Sequence, residues 1–287
     1  MKGMKIKKKL YMDFNDVLIQ PNNISFLESR SNVDLNVEMS FPHSNLKWNG
    51  VPIFSANMDT ICSQKVLDKF SENKMICAFH KYYDFQKLNV NDSNINSFCI
   101  STGINNNDLI KLKENIEYIQ ANGLVIKFIC VDIANGYLNK LVDFCKKLRQ
   151  LYPNKIIIAG NVVDKKMTKV LIKEGKVDIV KVGIGSGSAC LTRTKTGIGV
   201  PQFSAVLKCA KAAHKLGGKI ISDGGITCPG DIVKALGAGG DFVMIGGAFA
   251  GHEECNGTKL YDEISNKYFM RFYGMSSSEA MNKYNGK

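Results

Sequence analysis

What most restricts the fold of this chain is a rhythm that begins after residue 50. Short apolar runs end in polar residues or glycine, and most then give way to a stretch with helical spacing. The runs cover residues 52–56, 75–79, 98–101, 125–131, 155–159, 179–182, 219–222 and 242–245. Most are rich in Ile, Val and Phe on both faces, and strands apolar on both faces belong to parallel sheets covered by helices. The intervening stretches 63–73, 107–120, 138–151, 164–174 and 202–216 place their apolar residues three and four apart, and another opens at Asp231 after Pro229 and Gly230. In 107–120, for example, Leu109, Leu112, Ile116 and Ile119 share one face.

Eight strands alternating with helices predict a closed parallel (β/α)8 barrel, a TIM barrel. A doubly wound open sheet is the alternative, but no G-x-G-x-x-G follows the first strand. At 287 residues the chain suits one such barrel, a unit of about 250 residues. Residues 1–50 are expected to form an N-terminal extension packing on the barrel, with an extra strand near 16–20 and a hairpin-like segment. Residues 51–287 would be the catalytic barrel. No convincing amphipathic helix follows the eighth strand: 251–273 alternates polar and aromatic residues, and 274–287 is polar with small residues. The last helix and all but the start of a C-terminal flap are therefore expected to lie outside the chain; coverage of strand eight by some other element is the alternative.

The formal net charge of +12 suits anionic ligands such as phosphates, nucleotides or nucleic acid. The lysines are scattered, however, and a solvated face is the better reading of most of them. The dense run is Lys5 to Lys9. No helix-turn-helix, zinc-finger or aromatic-rich RNA motif supports nucleic-acid binding. Nine cysteines show no C-x-x-C, and Cys77, Cys99 and Cys130 lie inside apolar runs, where the residue behaves as a small hydrophobe. The odd count, the missing signal core and apolar stretches too short for a bilayer predict a reduced, cytoplasmic chain with no membrane span.

Polar residues gather just after the strands: Asn57, Asp59, His80, Lys81, Asp132, Asn135, Asn161 and Asp223, with Gly246 and Gly247. In a parallel barrel that carboxyl-end rim is where active sites are built. The strongest signal is 183–197, GIGSGSACLTRTKTG, after the sixth strand. Its glycines and serines let the backbone turn tightly and present polar groups to a ligand. Cys190 is expected to be exposed there, with Arg193 and Lys195 favouring its thiolate. Read locally, a flexible glycine loop with an incidental cysteine is an equal alternative. The pairs Gly224-Gly225 and Gly246-Gly247 follow strands seven and eight, where such barrels bind phosphate; tight strand-to-helix turns are the plain alternative. Asp132 and Asn135 alone would read as a helix cap or turn, and Trp48 as a packing residue.

These stretches resemble the IMP dehydrogenase and GMP reductase family. The loop to Cys190, NMDT at 57–60, ISDGG at 221–225 and GMS at 274–276 carry the likeness. HKYY at 80–83, DIANGY at 132–137, TRTKTG at 192–197 with Pro201-Gln202, FYGMSS at 272–277 and AMNK at 280–283 resemble its reductase branch. The resemblance implies NADPH-dependent reductive deamination of GMP to IMP and ammonia, through a covalent thioimidate on Cys190, in purine salvage. Thr192 would handle a proton as ammonia leaves. Asp223, Gly224, Gly225, Gly246, Gly247, Gly274, Met275 and Ser276 would bind the nucleotide. Lys81, Asp132, Ile133, Ala134, Ile184 and Gly185 would line the cofactor, and Ser29 and Arg30 would reach its adenosine end from a neighbouring subunit of a homotetramer. Gly185, Gly187, Cys190 and Arg193 resemble a site for a monovalent cation such as K+. IMP dehydrogenase-type oxidation of IMP to XMP, and nucleotide binding without catalysis, are the rival implications. Three departures stand out: Ser186 where the family has proline, the bulky Leu191, and a chain that stops at Lys287 before the family's flap glutamate, which would predict weak turnover.

Overall fold

The computed structural model describes residues 10–285; the basic run Lys5 to Lys9 lies outside them. In chain order the elements are β1 (Val37–Met39), β2 (Trp48–Gly50), β3 (Ile53–Ser55), α1 (Gln64–Glu72), β4 (Cys77–Phe79), β5 (Phe98–Thr102), α2 (Asn106–Ala121), β6 (Phe128–Asp132) and α3 (Asn139–Leu151). There follow β7 (Ile156–Val162), α4 (Lys165–Lys173), β8 (Ile179–Val182), α5 (Thr192–Thr196), α6 (Gln202–His214), β9 (Lys219–Asp223), α7 (Pro229–Gly237) and β10 (Phe242–Ile245). The chain ends in β11 (Lys259–Asp262), β12 (Lys267–Met270) and α8 (Ser278–Asn285).

The central sheet has eight parallel strands in the order β3-β10-β9-β8-β7-β6-β5-β4. It closes on itself where Phe54 bridges Ile76: Ser55 N donates to Ile76 O at 2.9 Å and Ile76 N to Ile53 O at 2.9 Å. The (β/α)8 barrel expected from the apolar runs is therefore the fold, and its strands lie where those runs lie.

Two cores follow from strands that are apolar on both faces. Inside the barrel pack Phe54, Ile76, Ala78, Cys99, Phe128, Cys130, Ile158, Ile179, Ile221, Phe242 and Met244. Between the barrel and its helices lies a larger layer that includes Leu67, Phe79, Leu112, Ile129, Leu148, Ile157, Leu171, Val180 and Val206. The antiparallel β1–β2 hairpin presents Trp48 to the barrel interior, where its ring meets Phe242 at 5.2 Å and Phe128 at 6.5 Å. Trp48 is 4% exposed and packs, as its sequence context suggested. The hairpin before residue 50 is thus present.

The extra strand expected near 16–20 is not. A 3-10 turn, Phe14–Asp16, stands there instead, closed by reciprocal hydrogen bonds between Asp13 and Asp16. Leu18 and Ile19 are exposed and belong to no strand. Phe14 is buried against Phe203 and α7, so the segment is held by side-chain packing rather than by a sheet. Between β4 and β5 the connection carries the 3-10 turns Phe85–Lys87 and Ile95–Ser97.

The C-terminal region is also more ordered than its composition suggests. The polar-aromatic alternation after residue 251 forms the β11–β12 hairpin, and the polar stretch after 274 contains α8. That helix lies over the rim at Asp59, not over the flank of β10.

Candidate functional site

The carboxyl ends of the strands converge on one loop. Residues 183–190 leave β8 and pass along both glycine pairs. Gly224 adopts φ +84°, a backbone state that side chains rarely tolerate, and a Cβ there would stand 2.7 Å from Ser186 Oγ and 2.8 Å from Gly187 N. Gly247 lies so close to Ser188 that a Cβ would collide with the serine hydroxyl. Gly274 packs on the carbonyl of Ala189. Of the glycines assigned to the nucleotide from sequence, Gly224, Gly247 and Gly274 thus meet this loop, whereas Gly225 faces Phe14 and Gln202 and Gly246 faces Met58 and Ala56.

Cys190 stands at the end of that loop and is exposed, while seven of the other cysteines are buried. Its Sγ donates to Thr192 Oγ1 at 3.2 Å, and its backbone N closes a turn onto Gly187 O at 3.0 Å. Arg193 does not approach the sulfur as the sequence suggested. Its guanidinium is drawn off by Asp13 at 3.3 Å and by the carbonyls of Val200 at 2.7 Å and Ile184 at 3.4 Å. Ser186, where the family has proline, donates to Asp223 O at 2.6 Å. Gln202, fully buried, donates to Val182 O at 2.8 Å and Asp223 O at 3.2 Å, and so braces the same loop from α6.

A second layer lies at the barrel's centre. Lys181, inside β8 and 4% exposed, reaches Asp132 Oδ1 at 3.0 Å and Asp223 Oδ2 at 2.8 Å. Burial alone would depress the pKa of that ammonium; Asp132 and Asp223 outweigh burial and hold it raised. Asn57 Nδ2 donates to Asp132 Oδ2 at 2.9 Å and to Ser101 Oγ at 3.1 Å. Asn161 Nδ2 donates to Asp223 Oδ2 at 2.8 Å and to Gly183 O at 2.7 Å. Asn57, Asn161, Asp132 and Asp223 were visible as polar strand ends. Lys181 was missed, although a lysine in an otherwise apolar strand was the available signal.

A third group holds the C-terminal segment to the rim. The carboxylate of Asp59, 3% exposed, accepts from Lys283 Nζ at 2.9 and 3.0 Å, from Tyr284 Oη at 2.6 Å and from Tyr273 Oη. Asp59 N approaches Met275 Sδ at 3.2 Å. Tyr284 stacks on Tyr82 with ring centroids 4.7 Å apart. His80, beside Asp59, is buried with its pKa lowered to about 4: burial dominates, and the attraction of Asp59 does not offset it.

Of the cofactor residues named from sequence, Ile133 is half-buried and Ala134 exposed after β6, and Lys81 pairs with Asp108 at 3.2 Å. Ser29 and Arg30 form an exposed 3-10 turn, and no hydrogen bond among the described residues ties them to the rim. Asn161 N donates to Ile133 O at 3.0 Å, while its Oδ1 is buried without a partner. An orphaned acceptor on a residue bonded to Ile133 and Asp223 is chemically suited to an amide donor such as a carboxamide. Among the described residues no group of three His, Cys, Asp or Glu is placed to hold a metal ion. Of the carbonyls considered for a monovalent cation, those of Gly187 and Arg193 each already accept a backbone N–H at 3.0 Å. No helix among the described residues is long and apolar enough to cross a membrane.

Comparison with known proteins places the chain among relatives of one family. The family model described as IMP dehydrogenase / GMP reductase domain matches residues 11–287. The GMP reductase of Tolumonas auensis is 48% identical over 288 residues, which is 99% of this chain and 81% of the relative. That of Buchnera aphidicola subsp. Schizaphis graminum is 48% identical over 289 residues, 99% of this chain and 80% of the relative. That of Aeromonas salmonicida is 46% identical over 288 residues, again 99% and 81%.

Proposed function

The chain belongs to the IMP dehydrogenase/GMP reductase family and is an oxidoreductase of the GMP reductase kind, and we propose that it converts GMP to IMP and ammonia with NADPH as reductant, through a covalent intermediate on Cys190. The observation that carries this reading is the exposed Cys190 sulfur, 3.2 Å from Thr192 Oγ1, on a loop that touches both glycine pairs.

In this reading the phosphate of GMP sits on Gly224, Gly225, Gly246 and Gly247, with backbone amides as its donors. Asp223 accepts the ribose hydroxyls, and Gly274, Met275 and Ser276 border the base and phosphate. The Cys190 thiolate adds to C2 of guanine. Thr192 Oγ1 carries a proton toward the departing amino group, which leaves as ammonia and breaks the C2–N bond. What remains is a thioimidate, with C2 bonded to Sγ. NADPH, when bound, supplies the hydride that reduces C2. The C2–S bond then breaks, the electron pair returns to sulfur and IMP is free. Covalent catalysis splits one hard substitution into addition and reduction.

Asp132, Ile133, Ala134, Ile184, Gly185 and Lys81 would border the nicotinamide half. Arg30, with Ser29, would meet the adenosine end across a subunit boundary, where a guanidinium suits a 2′-phosphate. A homotetramer, cytoplasmic location and a role in purine salvage belong to the same reading. So does a division into an extension at 1–50 and a catalytic barrel at 51–287. A K+ ion at Gly185, Gly187, Cys190 and Arg193 would have to use the second lone pairs of Gly187 O and Arg193 O, which each already accept a backbone N–H. The assay is direct: incubation with GMP and NADPH should yield IMP and ammonia. Formation of XMP from IMP and NAD, with no GMP turnover, would overturn the proposal.

A further inference from the structure

The proposed chemistry makes no use of Lys181, yet its ammonium sits at the centre of the rim. Three facts set its position. It is 4% exposed, it lies between two carboxylates, and each of these is also held by an asparagine, Asn57 after β3 and Asn161 in β7. Lysine is almost never fully buried without such partners.

The way the hydrogen bonds are shared is informative. Both donors to Asp223, Lys181 Nζ and Asn161 Nδ2, fall on Oδ2 at 2.8 Å, and among the described residues no hydrogen bond falls on Oδ1. Asp132 is used differently: Lys181 takes Oδ1 and Asn57 takes Oδ2. One carboxylate is held at both ends, and the other is held at one end with an acceptor left over.

We propose that Lys181 is a positioning residue that pins Asp223 by Oδ2, so that Oδ1 is presented as a fixed acceptor for a ribose hydroxyl, and that it thereby selects ribonucleotides over 2′-deoxyribonucleotides. This rests on the nucleotide reading given above. The selection follows from the asymmetry of buried polar groups. A site built to receive a hydroxyl leaves a charged oxygen unpaired when the hydroxyl is missing, and that rejects the analogue strongly. A carboxylate free to turn would find another donor and reject it weakly. The same ammonium also ties the ribose side of the site to Asp132, which borders the cofactor side.

The test compares Lys181→Met with the unaltered chain, using GMP and 2′-deoxy-GMP as substrates and NADPH as reductant. KM for GMP should rise roughly 10- to 100-fold, the loss of a hydrogen bond to a charged group. The preference for GMP over its deoxy analogue, as a ratio of kcat/KM, should shrink by a similar factor, and Lys181→Arg should restore part of it. Removing one charge from a buried trio can also unfold the protein. The double variant Lys181→Met with Asp132→Asn removes one positive and one negative charge together, and it should show the same flattened ratio. A merely structural lysine would lower the melting temperature and leave KM and the ratio unchanged; that result overturns the proposal. Absence of GMP turnover in the unaltered chain would instead bring down the functional reading on which the proposal rests.

Discussion

Lys283 of α8 donates to both carboxylate oxygens of Asp59, at 2.9 and 3.0 Å, across 224 residues of sequence. With Tyr273 and Tyr284 on the same carboxylate, the C-terminal segment is fastened to the rim just after β3. Burial alone would raise the pKa of Asp59, but Lys283, Tyr273 and Tyr284 hold it below its ordinary value. Asp59→Asn should cost about 1–3 kcal/mol of stability. It should also open residues 271–285 to limited proteolysis while the barrel stays intact. The effect of the charge has a defined pH range. A carboxyl with a lowered folded pKa stabilises above its unfolded value near 3.8, and that contribution fades as pH falls through the folded value.

His80 acts in the same direction over a higher pH range. Its folded pKa, about 4, lies below its ordinary value of 6.5, so between these the unfolded chain binds the extra proton. Stability should therefore rise from pH 4 to pH 6.5, by about 3 kcal/mol from this residue. In denaturant titrations across that range, His80→Gln should flatten the difference.

Asp178 is fully buried at the end of the barrel opposite the rim, and Arg149 Nη2 meets its Oδ2 at 2.5 Å. Burial pushes the pKa of this carboxyl up, against the pull of Arg149 and of the Ile157 and His43 amides. Arg149→Met would strand a buried charge and should cost about 3–5 kcal/mol in urea unfolding. Kinetic constants of the folded fraction should not change.

Gly224→Ala would place a Cβ 2.8 Å from Gly187 N at φ +84°. The loop would have to move away from the glycine pair. KM for GMP should rise by roughly 10-fold or more, with a smaller change in melting temperature, since strain of this kind is worth about 1–3 kcal/mol.

How much of this was legible depends on where the determining contacts lie. β6 and β8 were plain because each needs apolar residues on both faces, a property written in consecutive residues. The exposure of Cys190 was legible in the glycines and serines around it, but its local sequence left an incidental cysteine as an equal alternative. The segment at 16–20 was misread because Leu18 and Ile19 are apolar yet have no strand to pair with. α8 was missed because its stability comes from Asp59, more than 200 residues away, and not from its own pattern. Lys181 was passed over for the same reason: its partners, Asp132 and Asp223, lie on two other strands. Local periodicity shows elements, whereas polar networks that join strand ends become visible only once the barrel closes.

The central claim is that the Cys190 sulfur bonds to C2 of the purine during turnover. Acid-quenching the enzyme during the reaction with GMP and NADPH, followed by peptide mass analysis, tests it directly. The account predicts a purine nucleotide adduct confined to the peptide carrying Cys190, and a loss of at least about a thousandfold in kcat for Cys190→Ala. Steady IMP production by Cys190→Ala, or an adduct mapped to the other exposed cysteine, Cys228, would contradict it.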